Sequence, residues 1–375
     1  MLLLCYAGDF KTVLPRNNVR EESMHIPDGY LSPSTCATLY AGSTPFWYVA
    51  LRKMKRRLNT QAVPLLSVFA AFSFVIMMFN LPLPGGTTGH AVGVGIAAIV
   101  LGPWASILAI SVALVIQAIF FGDGGITAIG ANCFNMAIVG SLVAYAVYRL
   151  ISGRSPIESP RRVVAAAIAG YGAINMSALF AAIEFGIQPM WFHDASGTPL
   201  YAPYPLHIAV PAMMIGHLTI AGLAEMIVSG GVVAYLQKAE PALLKATAPG
   251  ASIQGDVAGW KSLRPLWIAL AVLLIFTPLG ILAVGAAWGE WVPEDFATPQ
   301  ARQQIAAASG NHAPPVQAPS GLQKLATVWT APMPRYAPPI LKSAQLGYIL
   351  SAMVGTGLIV LAFLGSAWIF GRVKQ

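Results

Sequence analysis

The sequence predicts an all-α polytopic membrane protein with about nine transmembrane helices, a seven-helix core followed by two more. Three observations predict it. Of 375 residues, 56% are hydrophobic and only 10% charged, far from the balance of a soluble domain. Apolar runs of helical length recur along the chain, separated by turn residues. The basic residues stand in short clusters between those runs, as the positive-inside rule places them. The formal net charge of +8 is therefore explained by membrane topology, and nucleic acid is not an expected partner. Cys5, Cys36 and Cys133 are too scattered for a disulfide framework or a thiolate zinc site.

Taken in order, residues 1–23 are mixed polar with a short apolar start and make neither a signal peptide nor a span. Ser32 caps the first predicted helix and Pro33 suits its first turn; the run "STCATLYAGSTPFWYVAL" then ends in the basic "RKMKRR", expected to be cytoplasmic. "AVPLLSVFAAFSFVIMMFN" returns outward to the turn-rich "LPLPGGTTGH". Three spans fit residues 91–151, the first so short that it reads as a half-helix packed inside protein. An odd number is needed because Arg149, Arg154, Arg161 and Arg162 again mark the inside. Residues 163–187 run out and 208–236 return, with an external loop between them. A cytoplasmic linker over 237–260 is expected to separate the 24–236 membrane domain from a two-span unit over 261–375, whose Pro/Ala/Gln-rich loop 289–343 is external. Of the 22 Lys and Arg, 15 fall on predicted cytoplasmic segments and four (Arg302, Lys324, Arg335, Lys342) on external ones, while Lys11, Arg16 and Arg20 precede Met24. That asymmetry puts Met24 outside and the C-terminus in the cytoplasm, in the cell (inner) membrane. No inverted repeat is legible.

The chemistry rests on six histidines. The topology places His25, just before the first span, and His90, just after the second, on the same face. If Met24 were the first residue, its amine, the His25 amide nitrogen and the His25 imidazole Nδ1 would form fused five- and six-membered chelate rings. His90 would complete a planar four-nitrogen set, which suits Ni(II) or Cu(II) and can be imposed on Co(II), with the amide deprotonated by the metal. The alternative is that His25 is an ordinary loop residue and His90 a polar helix start. Glu184, His217 and Glu225 fall inside predicted spans, where ionisable groups are costly and often functional; they could also pair with one another or meet partner subunits. His193 and His207 could deliver metal or simply be solvated, and His312 sits in a low-complexity segment with no specific role. No G-x-x-x-x-G-K-[ST] occurs, so nucleotide hydrolysis would need a partner.

"MHIPDGYLSP", "GTTGHAVGVGIAAIVLGPWAS" and "FGDGGITAIGANCFNMAIVG", in that order, resemble the cobalt/nickel substrate-capture component (CbiM/NikM) of energy-coupling-factor ABC transporters, over Met24 to about Leu236. The last two spans with their loop, including "APMPRYAPPILKSAQLGYILSAMVG", resemble the small CbiN/NikN subunit, here fused. The resemblance implies that Met24, His25 and His90 hold the transported Ni2+ or Co2+. It also implies a transmembrane coupling (T) subunit and ATPase (A) subunits as partners, and no prosthetic group. Asn132 and Asn135 are then expected beside the ligands, bonding the metal-bearing loop or neighbouring helices, and Asp28 a turn that aims the amino terminus. Because Arg20-Glu21-Glu22 can be encoded by a purine-rich ribosome-binding sequence, translation is expected to begin at Met24, with 1–23 a non-native extension. The rival readings are a stand-alone secondary divalent-metal transporter or channel, which would need a charged path through Glu184, His217 and Glu225, and a membrane enzyme. A catalytic metal normally has more side-chain ligands and an acid/base carboxylate beside it, and Asp28 is the one carboxylate the sequence places near.

Overall fold

The computed structural model describes residues 25–55, 62–247 and 263–372. The expectations attached to Met24, to residues 1–23 and to most of the linker lie outside the described residues. Helices dominate: α1 (Pro33–Lys55), α2 (Ala62–Met77), α3 (Val94–Leu101), α4 (Pro103–Phe121), α5 (Ile129–Ser152), α6 (Pro160–Trp191), α7 (Leu206–Ala239), α8 (Arg264–Leu282), then short α9 (Pro299–Ala308) and α10 (Ser320–Leu325), and α11 (Ala344–Arg372). Beyond Thr277 the backbone of α8 tightens into a 3-10 helix. Among the described residues the one sheet is a hairpin of β1 (Leu81–Leu83) and β2 (Thr87–Gly89).

α4 to α8 and α11, six helices in all, are long and apolar enough to cross a membrane, so this is a multi-pass membrane protein. The expected nine is not reached on that measure. α2 has 16 residues, α3 only eight, and α1, though 23 long, carries a more polar sequence. Apolar side chains on α8 and α11, such as Ile268, Val272, Leu361 and Trp368, point away from protein, as lipid-facing residues do.

Local chemistry accounts for the element ends. Ser32 Oγ accepts the Thr35 amide at 3.1 Å, which caps α1 as its sequence suggests. The expected turn after α2 is a hairpin, with Gly85 and Gly86 at positive φ at its tip, where glycine carries no steric penalty. The half-helix α3 is buried from Val94 to Val100 and packs against α4, α5, α6 and α7. A backbone this short can sit at membrane depth only when protein surrounds it. A Cβ on Gly95 would lie 2.8 Å from Gly170 Cα and overlap Ser229, so α3, α6 and α7 meet at small residues.

Basic residues gather at the far ends of α1, α5 and α7. Arg149 and the fully buried Arg162 both donate to the Thr247 carbonyl, at 2.8 and 3.1 Å. At the opposite end the segment expected to be a loop over 289–343 forms an ordered cap. Trp288, Trp291, Phe296, Ile305 and Leu322 pack with Ile26, Tyr30 and Phe185 in one buried cluster. Proline-rich composition concealed this, because the cap is held by spaced aromatic anchors rather than by helical periodicity.

Candidate metal centre

His25 and His90, 65 positions apart, meet in this cluster's floor. Their ring centroids are 5.2 Å apart at an interplanar angle of 73°, and both side chains are buried. A metal–imidazole bond of about 2 Å puts two rings on one ion with centroids roughly 4–6 Å apart, so little movement is needed. His90 Nδ1 lies 3.0 Å from the Ala91 carbonyl. That contact requires a proton on Nδ1, which leaves the Nε2 lone pair as the donor for metal. Burial, and next the neighbouring His25 ring, push the His90 pKa down to about 4, so the imidazole stays neutral over the ordinary pH range.

Each ligand candidate is held by its own bracing. His90 precedes the N-terminus of α3, where Gly93 stands at φ 71 with no side-chain cap. The cap comes instead from α7: the Glu225 carboxylate accepts the amides of Val92 and Gly93 at 2.8 Å each and of Gly95 at 3.1 Å. The positive end of a short helix and three converging N–H groups stabilise that buried charge. On the His25 side, Asn132 grips the next peptide from both directions, Oδ1 accepting Ile26 N and Nδ2 donating to Ile26 O, each 3.1 Å. Asp28 accepts the amides of Thr127 at 2.8 Å and Ile126 at 3.2 Å, and the Thr127 hydroxyl. It staples the N-terminal loop to residues 126–127 and is committed to that turn.

The carboxylate beside the imidazoles is therefore Asp123, which the sequence reading missed. Its Oδ1 lies 3.0 Å from His25 Nδ1. An acid inside "FGDGG" between two apolar runs was the available signal, since such a group is buried only with partners. Asn135 takes the second of its expected roles, on a neighbouring helix: it donates to Glu184 of α6 at 2.9 Å. Asn135 and His217 line a cavity of about 90 Å3 that also touches His25, His90 and Asn132.

The intramembrane ionisable groups do not pair with one another. Glu225 serves the α3 amides, Glu184 meets Asn135, and His217 Nδ1 meets the Met213 carbonyl at 2.9 Å. Asn135, His217 and Gln117 each sit in a π-helical turn, Cys133–Val139, His217–Ala221 and Gln117–Phe121. Such widened turns cluster at functional sites because they re-aim side chains out of the helical register. Among the described residues no three His, Cys, Asp or Glu side chains form a metal-binding group. Two imidazoles are what the described residues bring together at this point.

Residues 25–243 match the family described as "Cobalt uptake substrate-specific transmembrane region", CbiM, and residues 264–372 match the PDGLE domain. The fused nickel transport protein NikMN of Rhodobacter capsulatus is 58% identical over 337 residues, 90% of this chain and 95% of that protein. The probable fused nickel transport protein LarMN of Lactiplantibacillus plantarum is 45% identical over 294 residues, 78% and 84% respectively. A crystal structure described as a truncated transition metal transporter superposes with a TM-score of 0.54 at 51% identity, covering 57% of this chain and 98% of that one.

Proposed function

The chain belongs to the CbiM family of nickel and cobalt transport proteins, with a PDGLE domain fused to it, and on that premise we propose that it is the substrate-capture component of an energy-coupling-factor importer. It binds external Ni2+ or Co2+ through the Met24 amine, the His25 amide and imidazole, and His90. Separate T and A subunits couple the loaded protein to ATP hydrolysis. Met24 then faces outward and the C-terminus lies in the cytoplasm, with the basic helix ends inside.

The observation that carries this reading is the buried His25–His90 pair at 5.2 Å, with His90 Nε2 left as donor and no third side-chain ligand in the described residues. A planar nitrogen set completed by an amine and an amide fits that shortage and suits Ni(II) or Co(II). The separate engagements of Glu184, His217 and Glu225 argue against a continuous charged path, and so against a stand-alone secondary transporter.

The test is titration of the natively expressed, purified chain with Ni2+ and Co2+. One ion binds per chain, and His90→Ala lowers affinity by more than a hundredfold; native affinity in that variant would remove His90 from the site. Intact mass of the same preparation decides the amino terminus: a chain that binds the ion while retaining residues 1–23 would overturn the amine ligand. Uptake into vesicles by the chain alone, without T and A subunits, would favour the secondary transporter.

A further inference from the structure

The two halves of the sequence matched by different families touch at the metal centre. Residues 329–336, from the second match, dock on the π-helical turn Gln117–Phe121 of the first. Trp329 Nε1 donates to the Ile119 carbonyl and Met333 N to the Phe120 carbonyl, both at 2.9 Å. A π turn shifts the register of its hydrogen bonds and so presents carbonyls to an outside donor. The segment ends at Tyr336, whose ring stacks on Phe121 with centroids 5.0 Å apart. Its hydroxyl donates to Asp123 Oδ2 at 2.6 Å, and Gln117 Nε2 reaches both that hydroxyl at 3.0 Å and Asp123 Oδ2 at 3.4 Å. Arg335 and Tyr336 stand at φ 54 and 57, a left-handed region that non-glycine residues keep only where their surroundings hold them.

We propose that Tyr336, supplied by the C-terminal module, is a positioning residue of the metal centre: with Gln117 it holds Asp123 through Oδ2, so that the buried carboxylate stays hydrogen-bonded in place when His25 Nδ1 leaves Oδ1 for the ion. This rests on the reading of His25 as a ligand. Two donors on Oδ2 restrict the carboxylate to one orientation, the one in which Oδ1 meets His25 Nδ1. When Nδ1 turns to the ion, those donors remain, and the buried carboxylate is not left without hydrogen bonds. The C-terminal module thus contributes to affinity through a hydroxyl that touches no ion. Losing one hydrogen bond to a buried charged group is typically worth about 10- to 100-fold.

The test is Ni2+ titration of the full chain carrying Tyr336→Phe, which keeps the stacked ring. Affinity falls about 10- to 100-fold at unchanged stoichiometry. Ser351→Ala, which removes a hydrogen bond to the Tyr336 carbonyl and leaves the hydroxyl alone, keeps native affinity. Tyr336→Phe combined with Asp123→Asn binds no more weakly than Asp123→Asn alone, because both act through one carboxylate. A purely structural loss would instead add. Should Tyr336→Phe lack a cooperative metal-free melt, Gln117→Leu replaces it with the same expected outcomes. Native affinity in the hydroxyl variant, or an additive double variant, overturns the proposal. If the native chain binds no ion, or His90→Ala binds normally, the reading of the site has failed instead.

Discussion

Replacing Glu225 by alanine removes the external cap of α3 and tests whether a carboxylate on α7 sets the His90 loop. Glu225 is wholly buried and accepts three backbone amides at 2.8, 2.8 and 3.1 Å. Each buried donor left without a partner costs roughly 1–3 kcal/mol. Partial relaxation and water entering from the adjoining cavity recover some of this, so the loss is on the order of 3–6 kcal/mol. Val92 and Gly93 lie two and three positions after His90, so the same change frees the imidazole from its place opposite His25. The assays are thermal unfolding of the metal-free protein in detergent and Ni2+ titration. The alanine variant melts well below the native protein and binds the ion at least tenfold more weakly. Glu225→Gln, which keeps one carbonyl oxygen for the amides, falls between the two. An alanine variant with native melting and native affinity refutes the reasoning. Weakened binding at native stability would mean that only the negative charge near an incoming cation matters.

Two further predictions concern the N-terminal side. A Cβ on Gly125 would overlap the Asp28 backbone nitrogen and stand 2.5 Å from Asp28 Oδ1, so Gly125→Ala displaces the stapled turn. It costs roughly 1–3 kcal/mol by overpacking and lowers ion affinity; native melting and affinity would show the turn to be adaptable. At pH 9, where the terminal amine is already largely deprotonated, ion binding still releases about one proton, from the His25 amide. His90, with its pKa near 4, is already deprotonated at that pH and adds none. Calorimetry in buffers of different ionisation enthalpy measures the number, and a value near zero excludes the amide as a ligand.

The sequence by itself determined the apolar helices, their order and the places where they break, because hydrophobic run length and basic clusters are local properties. Ser32 and Pro33 announced α1, and the shortness of residues 91–101 announced a half-helix. It also supplied His25 and His90 as a pair, since topology alone puts the ends of two adjacent spans on one face. Only the tertiary structure decided what surrounds them. Asp123 touches His25 because the π turn after Ile116 and the glycines around it fold the acid back, and no periodicity encodes that reversal. Glu225 caps a helix 130 positions away, so its role is invisible until α3 and α7 are packed. Tyr336 reaches the site from a Pro/Ala-rich stretch because buried aromatic side chains, placed without a regular repeat, hold that stretch down. Distant polar groups find their partners only when the core closes and water is no longer there to satisfy them.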